Sequence, residues 1–226
     1  MKLEIIFENK YFLIINKPTN LHSVALKDKK NTSVASLLLE RYPYLAEISN
    51  EAGLVQRLDY ETTGCLLCAK TKPTYLNLKN QIKNKLIRKE YIIIVDNIFN
   101  KEETVISYIG SRYRGSKKVL CLKEPEARLQ YAKTIFFPLQ TIPQKNISFV
   151  LAKTQTGRRH QIRSQIASLG FPLCGDALYG SKQKLTEKFD LNEKIKFYLH
   201  AKVIIFTDPQ SGKEITFEAE NPYINL

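Results

Sequence analysis

The chain has 226 residues, with 35 lysines and arginines against 22 acidic residues, which gives a formal net charge of +13 and an isoelectric point near 9.5. Hydrophobic residues make up 43% of the chain, enough to build a core, so the composition excludes an intrinsically disordered protein. No apolar run approaches the roughly 18 residues of a membrane-spanning helix. The charged N-terminus lacks a signal-peptide cleavage site, so we expect a cytoplasmic protein whose four cysteines stay reduced.

The positive excess favours a polyanionic partner, RNA or DNA. Much of this charge lies in three acid-poor segments, 70–90, 111–123 and 153–163. We expect these segments to converge on one face, where they would follow a phosphate backbone. The alternative is three separate solvated surfaces.

Apolar periodicity and turn residues predict a strand-rich chain with a few helices, of the α+β class. In chain order the predicted elements are a strand over 11–18, a helix over 33–41 with Thr32 or Ser33 as its N-cap, a buried strand over 64–70, a helix over 73–86, a strand over 89–96, several antiparallel strands within 104–155, a helix in 159–169 that ends at Gly170, and two C-terminal strands joined around 208–212. The chain shows no internal repeat and no linker composition, so we expect one domain over 1–226.

One segment, G-L-V-Q-R-L-D-Y-E-T-T-G (53–64), has an unusual arrangement of charges. Arg57 and Asp59 lie two residues apart, a Thr-Thr-Gly turn follows, and a buried strand comes next. A carboxylate on a loop held by a rigid strand suits an active site. On its own, however, the segment favours the commoner role of an aspartate that bonds turn amides.

Two further segments, T-Q-T-G-R-R-H-Q-I-R (154–163) and G-D-A-L-Y-G (175–180), contain glycine turns beside charged residues. The first opens into a helix whose initial residues are basic: Arg158, Arg159 and His160. A helix N-terminus attracts anions, and arginines strengthen that attraction. Arg163 lies one turn further and can point toward a buried carboxylate, although a basic helix start can also meet only solvent.

Five motifs occur in order after an early N-K-P (16–18): Q-R-L-D-x-x-T-T-G, K-E-Y, G-R-R-H-Q-I-R, G-D-A-L-Y-G and L-H-A. The series resembles the RluA-type pseudouridine synthases, whose usual forms are H-R-L-D-x-x-T-S-G, K-x-Y, G-R-x-H-Q-I-R, G-D-x-x-Y-G and L-H-A. The resemblance extends from about residue 8 to 222. It implies a mixed, mostly antiparallel sheet with flanking helices and a central active-site cleft. It also implies a lone catalytic domain, without the N-terminal RNA-binding domain that many relatives carry.

The resemblance further implies that specific uridines in tRNA or ribosomal RNA are isomerised to pseudouridine, without a cofactor or a metal. The target base leaves its stack, its bond to the ribose is broken, and the base is rotated and rejoined through a ring carbon. By motif match the essential aspartate is Asp59, which either attacks the ribose or removes a ribose proton to give a glycal-like intermediate. Arg163 would supply the cation that keeps this carboxylate ionised in a water-poor pocket, through a direct contact with Asp59.

The same match assigns the remaining site residues. Tyr91 would pack on the target base and is a candidate for abstracting the ring proton, and Arg57 would occupy the space that the base vacates. The basic helix start (Arg158, Arg159 and His160) would contact the RNA backbone or support its loop. We expect a monomer that binds structured RNA and no membrane.

The chain departs from the usual motif at three positions: Gln56 replaces His, Tyr60 follows the aspartate where Arg or Lys is common, and Thr63 replaces Ser. Gln56 retains hydrogen bonding but cannot carry charge. Since the histidine is not the nucleophile, these changes affect the expected RNA substrate more than the expected reaction.

Three other interpretations fit the sequence less well. Cys65 and Cys68 form a C-x-x-C, but no second C-x-x-C follows, so two core cysteines are favoured over a zinc or redox site. A non-catalytic RNA-binding or ribosome-assembly protein could keep this fold, although the presence of Asp59, Tyr91 and Arg163 together argues against it. A metal-dependent nuclease or base hydrolase would need clustered ligands that this sequence does not show.

Overall fold

Ten strands and three α-helices make up about half of the residues that the computed structural model describes, which are 2–25, 32–113, 115–191 and 194–221. In chain order they are β1 (Glu4–Glu8), β2 (Phe12–Lys17), α1 (Val34–Arg41), β3 (Thr63–Ala69), α2 (Lys72–Lys83), β4 (Arg88–Asp96), β5 (Glu103–Ser111), β6 (Val119–Leu122), β7 (Gln130–Ile142), β8 (Ile147–Thr154), α3 (Gln161–Ser168), β9 (Leu199–Thr207) and β10 (Glu214–Glu218). Short 3-10 helices cover Pro43–Glu47, Pro143–Lys145, Ala177–Tyr179 and Leu185–Glu187.

The chain forms two compact units, Met1–Lys89 with His200–Leu226 and Glu90–Leu199. The single domain predicted over 1–226 therefore stays a prediction. No helix among the described residues is long and apolar enough to cross a membrane.

In the first unit the strands follow the order β1–β2–β3–β9, and β10 pairs with β9. All of these pairs are antiparallel except β3 with β9, which is parallel. Every residue of β2 and β3 is buried, which explains why these strands appear in the sequence as continuous apolar runs rather than as alternating ones. Phe12, Leu67, Leu78 and Phe206 belong to the apolar cluster that joins this sheet to α2.

The cysteines of the C-x-x-C are core residues, as predicted. Because they lie three residues apart in β3, their side chains point to opposite faces of the sheet. The Cys65 thiol donates to the carbonyl of Lys202 at 3.4 Å, and the Cys68 thiol donates to the carbonyl of Ala52 at 3.2 Å. Burial raises the pKa of both thiols to about 12, so neither is a ready nucleophile.

In the second unit the strands follow the order β4–β8–β7–β5–β6. Strand β7 pairs with β8 and with β5, and β5 pairs with β6, in each case antiparallel. Helix α3 is fixed to this sheet by two buried glutamines one turn apart. Gln165 accepts from the Thr134 hydroxyl at 2.6 Å and donates to the Ser107 hydroxyl at 2.9 Å, and Gln161 donates to the Thr154 hydroxyl at 2.9 Å. These bonds set the rotation of α3, and with it the direction of the side chains that leave the helix.

The predicted elements agree with those observed except at some helix ends. Helix α1 begins after Ser33, whose hydroxyl accepts from the Ser36 amide at 3.1 Å, as the N-cap prediction requires. Helix α2 ends at Lys83 rather than Leu86, because Asn84 caps it and Lys85 takes a left-handed conformation with φ of 58°. Leu86, predicted to lie on the buried face, is 58% exposed.

Candidate active site

The loop that carries Asp59 is anchored at both ends to β3. Before the loop, the Val55 amide donates to the carbonyl of Leu67 at 3.0 Å, and after it the chain enters β3 at Thr63. The Asp59 carbonyl accepts from the Thr62 amide at 3.1 Å, which closes the turn. Asp59 itself is half-buried. A rigid strand therefore supports a carboxylate that keeps some access to solvent.

A second segment, residues 17–23, holds the same loop from another direction. The Ser23 hydroxyl accepts from the Leu58 amide at 2.9 Å and donates to the Leu58 carbonyl at 2.8 Å. The Leu21 amide donates to the Tyr60 carbonyl at 3.3 Å, and the Thr19 hydroxyl donates to the Glu61 carbonyl at 3.0 Å. Both neighbours of Asp59 in the chain are thus held by hydrogen bonds to this segment.

Lys17, the lysine of N-K-P, is the central cation of this arrangement. Its side chain is fully buried, and Nζ donates to the carbonyls of Pro18 and Leu21 at 2.8 Å and of Tyr60 at 3.3 Å. Three acceptors match the three N–H donors of an ammonium group. Burial lowers the pKa of Lys17 to about 7, while the negative charges of Asp59 and Glu61 oppose that shift. When it is protonated, which requires a pH of about 7 or below, Lys17 supplies positive charge near Asp59 from within the first unit, a role that the motif match assigns only to Arg163.

The pKa of Lys17 predicts a pH-dependent stability. An unfolded lysine has a pKa of about 10.4, so between pH 7 and 10 the unfolded chain binds a proton that the folded chain has released. The free energy of unfolding contributed by this group therefore rises with pH across that window, by up to about 1.4 kcal/mol per pH unit. In urea titrations at several pH values, Lys17→Met should remove this rise. An unchanged pH dependence in the variant would contradict the buried, titrating Lys17.

The Thr-Thr-Gly turn has a steric reason for its glycine. Gly64 has a φ of 105°, and a Cβ atom there would overlap the carbonyl oxygen of Ala201 where β3 meets β9.

His200 lies beside this turn. The Thr63 hydroxyl lies 2.8 Å from Nδ1 of His200, whose Nε2 lies 3.2 Å from the carbonyl of Ala219. Since that carbonyl can only accept, Nε2 carries the proton and Nδ1 accepts from Thr63. His200 is fully buried with both nitrogens satisfied, so it is a structural histidine.

Arg57, two residues before Asp59, is exposed. Its side chain is 68% exposed and lies 3.9 Å from the Glu51 carboxylate, a weak surface pair that leaves the guanidinium accessible from solvent. Gln56, at the position of the usual histidine, donates to the carbonyl of Cys65 at 3.5 Å. Tyr60, the other departure, packs its ring against that of His22 at 4.5 Å.

In the second unit, Tyr91 lies on β4 and is 8% exposed. Its neighbour Glu90 pairs with Lys153 of β8 at 2.8 Å, which ties this part of β4 to the next strand. Tyr91 is thus held on a rigid element rather than on a loop, which suits a residue that must present an aromatic ring in a defined orientation.

Arg163 leaves α3 and forms a buried ion pair with Asp176 of the G-D-A-L-Y-G motif. Nε and Nη2 donate to the two carboxylate oxygens at 2.7 and 2.9 Å, and the two side chains are only 6% and 2% exposed. The guanidinium also lies 4.5 Å from the centre of the Phe197 ring and 5.1 Å from that of Tyr179. Because a guanidinium has five N–H donors, this pair still leaves Arg163 able to serve another partner. The contact predicted between Arg163 and Asp59 joins residues of different units and stays a prediction.

The basic start of α3 supports neighbouring loops. Arg158 donates to the Tyr131 carbonyl at 3.1 Å, and Arg159 donates to the Ser116 carbonyl at 2.6 Å. Nδ1 of His160 lies 3.0 Å from the Tyr179 hydroxyl, and burial lowers the pKa of His160 to about 3, helped by the charges of nearby arginines. His160 is therefore neutral at physiological pH and cannot supply positive charge to an RNA phosphate.

Two functional candidates, Lys17 and Asp176, were missed as site residues. The available signals were a lysine that ends a continuous apolar strand and an aspartate set between glycines in an apolar segment. Gly175 has a φ of 92°, and a Cβ atom there would overlap the Lys196 carbonyl oxygen, so the glycine allows the close approach that places Asp176. Sequence periodicity does not reveal which charged group lies next to each of these residues.

Comparisons with known proteins agree with the motifs. The model of the family described as RNA pseudouridylate synthase matches residues 11–168. A Helicobacter pylori protein named an uncharacterized RNA pseudouridine synthase is 34% identical, over 96% of this chain and 66% of its own length. A Zymomonas mobilis protein named ribosomal large subunit pseudouridine synthase D is 31% identical, over 97% of this chain and 69% of its own length. The chain thus spans about two thirds of the length of these relatives.

A solved structure, human RNA pseudouridylate synthase domain containing 1, matches over 99% of this chain and 85% of its own length. The TM-score is 0.69 at 22% sequence identity, so the two proteins share a fold.

Proposed function

The chain belongs to the RNA pseudouridylate synthase family, and we propose that it isomerises specific uridines in structured RNA to pseudouridine. The observation that carries this proposal is the Asp59 loop. A half-buried carboxylate at the motif position is fixed by β3 on one side and by residues 17–23 on the other, with a buried lysine beside it. Such support is what a catalytic group needs, because small displacements from productive geometry are costly in rate.

In this reaction Asp59 acts on the ribose of the flipped uridine, either as nucleophile or as base. At a pH of about 7 or below, the positive charge of protonated Lys17 favours the ionised carboxylate that both routes require. Tyr91 packs on the detached base, Arg163 supplies further positive charge, and Arg57 binds the RNA from its exposed position. The basic helix start contributes through the loops that it supports. No redox change occurs and no group is transferred to a second molecule, so the reaction balances without a co-reactant.

Large-subunit ribosomal RNA is the first candidate substrate, because the Zymomonas relative is named for it; tRNA is the alternative. The proposal includes a monomer that acts in the cytoplasm, where the four free cysteines would stay reduced.

Pseudouridine mapping of total RNA tests this function. We expect cells without the gene to lose pseudouridine at one or a few uridines, and the wild-type gene to restore it. The position lost would identify the substrate. If no position changes and the purified protein forms no pseudouridine in unmodified ribosomal RNA or tRNA, the proposed function is wrong.

A further inference from the structure

Helix α2 has one buried face and one exposed face of different chemistry. Thr74, Leu78 and Gln81 are buried, and Gln81 both donates to the Thr207 carbonyl at 2.7 Å and accepts from its amide at 3.0 Å. These contacts settle the rotation of the helix. The opposite face, which we call the lysine stripe, consists of Lys72, Leu76, Lys79 and Lys83, all exposed. Their spacings of four, three and four residues keep them in one row.

The positive charge of the lysine stripe has no acidic partner in the part of the chain that the structure describes. Helix α2 contains no Asp or Glu, and no ion pair within 4.0 Å involves these lysines. Other cations of the same unit do have such partners. Lys70 pairs with Glu8 at 2.6 Å and Arg88 with Glu214 at 2.7 Å. The stripe is therefore a surface whose charge is left uncompensated.

Two of the lysines are oriented by single hydrogen bonds. Lys72 donates to the Ile48 carbonyl at 2.8 Å, and Lys79 donates to the Val55 carbonyl at 3.2 Å. Each bond uses one of the three donors of an ammonium group, so both lysines can also bind an external anion. Both ammonium groups lie 5.9 Å from the ring centre of Tyr75, between them on the helix. The lysines are thus partly ordered before any ligand arrives.

The stripe lies beside the Asp59 loop. Val55, which Lys79 contacts, is four residues before Asp59 and two before the exposed Arg57. From Lys72 to Lys83 the helix rises about 16 Å at 1.5 Å per residue. A nucleic-acid strand carries roughly five phosphates over that length. Leu76, 58% exposed in the middle of the row, offers an apolar surface to a ribose or a base.

We propose that the lysine stripe of α2 is a binding surface for the phosphate backbone of the substrate RNA, next to the Asp59 loop. This rests on the proposed function for the identity of the polyanion, while the surface itself follows from the uncompensated charge. RNA is favoured over an acidic protein because a row of regularly spaced lysines matches the repeating, sequence-independent charge of a phosphate backbone.

The test is the salt dependence of RNA binding by the full chain. Because the phosphate contribution does not depend on sequence, an unmodified tRNA transcript serves as the probe. Lys72→Gln with Lys83→Gln should make the plot of log affinity against log salt shallower by about 1.4 to 1.8, since each phosphate contact contributes about 0.7 on a single strand and about 0.9 on a duplex. The affinity should fall by on the order of tenfold at 0.1 M salt. The loss should also appear as a raised KM for pseudouridine formation.

The matched control removes the same charge elsewhere on this unit. Lys10 and Lys213 are exposed residues in the turns before β2 and β10, and Lys10→Gln with Lys213→Gln should keep the wild-type slope. Lys83 makes no hydrogen bond or ion pair to any other described residue, so Lys83→Gln cannot disturb the fold through a lost contact and should shift the slope by about 0.7 to 0.9.

Equal slopes for the stripe and control variants would overturn the proposal and leave the stripe to another partner, such as an acidic protein. The proposal would also be wrong if the stripe variant lowered only kcat, the rate at saturating RNA, and left the affinity for RNA unchanged. Neither result bears on whether the chain makes pseudouridine, which the Asp59 variants decide separately.

Discussion

Replacing Asp59 with asparagine should reduce pseudouridine formation at least about 10²- to 10⁴-fold, whichever role the carboxylate has, because asparagine is neither a nucleophile nor a base of comparable strength. The substitution keeps the size of the side chain, and the main-chain bonds that hold the loop do not involve the carboxylate. We therefore expect Asp59→Asn to fold and to bind RNA as tightly as the wild type or slightly more tightly, since one negative charge near the phosphates is removed. Single-turnover pseudouridine yield and RNA affinity, measured on the same preparation, check both parts.

Glu61→Gln is the matched control, because it removes a carboxylate from the same loop two residues away. Glu61 interacts electrostatically with Lys17, as Asp59 does, so general changes in loop charge affect both variants. The control should lose far less activity than Asp59→Asn. Comparable losses would mean that the charge of the loop, and not the chemistry of Asp59, limits the reaction. An active Asp59→Asn protein would show that another residue carries the catalysis.

The family, the α+β class and most element positions were predictable from sequence, and all three are confirmed. These features were predictable because interactions between residues close in the chain determine them. Buried strands such as β2 and β3 appear as continuous apolar runs, Ser33 caps α1, and Asp208 with Gly212 forms the turn before β10. Each of these signals acts over a few residues. The end of α2 was misplaced because the left-handed Lys85 has no signal of its own in the sequence.

The candidate site was predictable in its residues but not in its contacts. Motif positions indicated Asp59, Tyr91 and Arg163, while the charge partners that the structure places beside two of them came from distant segments. Lys17 lies 42 positions before Asp59, and Asp176 lies 13 positions after Arg163. Such pairs depend on tertiary packing, which sets burial and therefore the cost of leaving a charge alone. The expected convergence of the three basic segments involves both units and stays a prediction; Arg114, in one of them, lies outside the described residues.

The buried pair of Arg163 and Asp176 should make a large contribution to stability that is separable from catalysis. Asp176→Asn leaves the buried guanidinium without its counter-charge, so we expect the free energy of unfolding in urea to fall by about 3–5 kcal/mol. The control is Glu187→Gln, which breaks the surface pair with Lys184, whose side chains are 77% and 61% exposed. That change should cost less than about 1 kcal/mol. Similar small losses in both variants would contradict the structural importance of the buried pair.

The double variant Arg163→Met with Asp176→Leu separates the two roles of the arginine. Replacing both charges by apolar side chains leaves no unpaired buried ion, and such replacements are often neutral in stability. Methionine also suits the position, because the guanidinium lies against the rings of Phe197 and Tyr179 and a thioether packs well on aromatic rings. The double variant should therefore recover most of the stability lost in Asp176→Asn while remaining deficient in pseudouridine formation. A stable double variant with wild-type activity would show that Arg163 serves the fold alone and that the reaction does not need its charge.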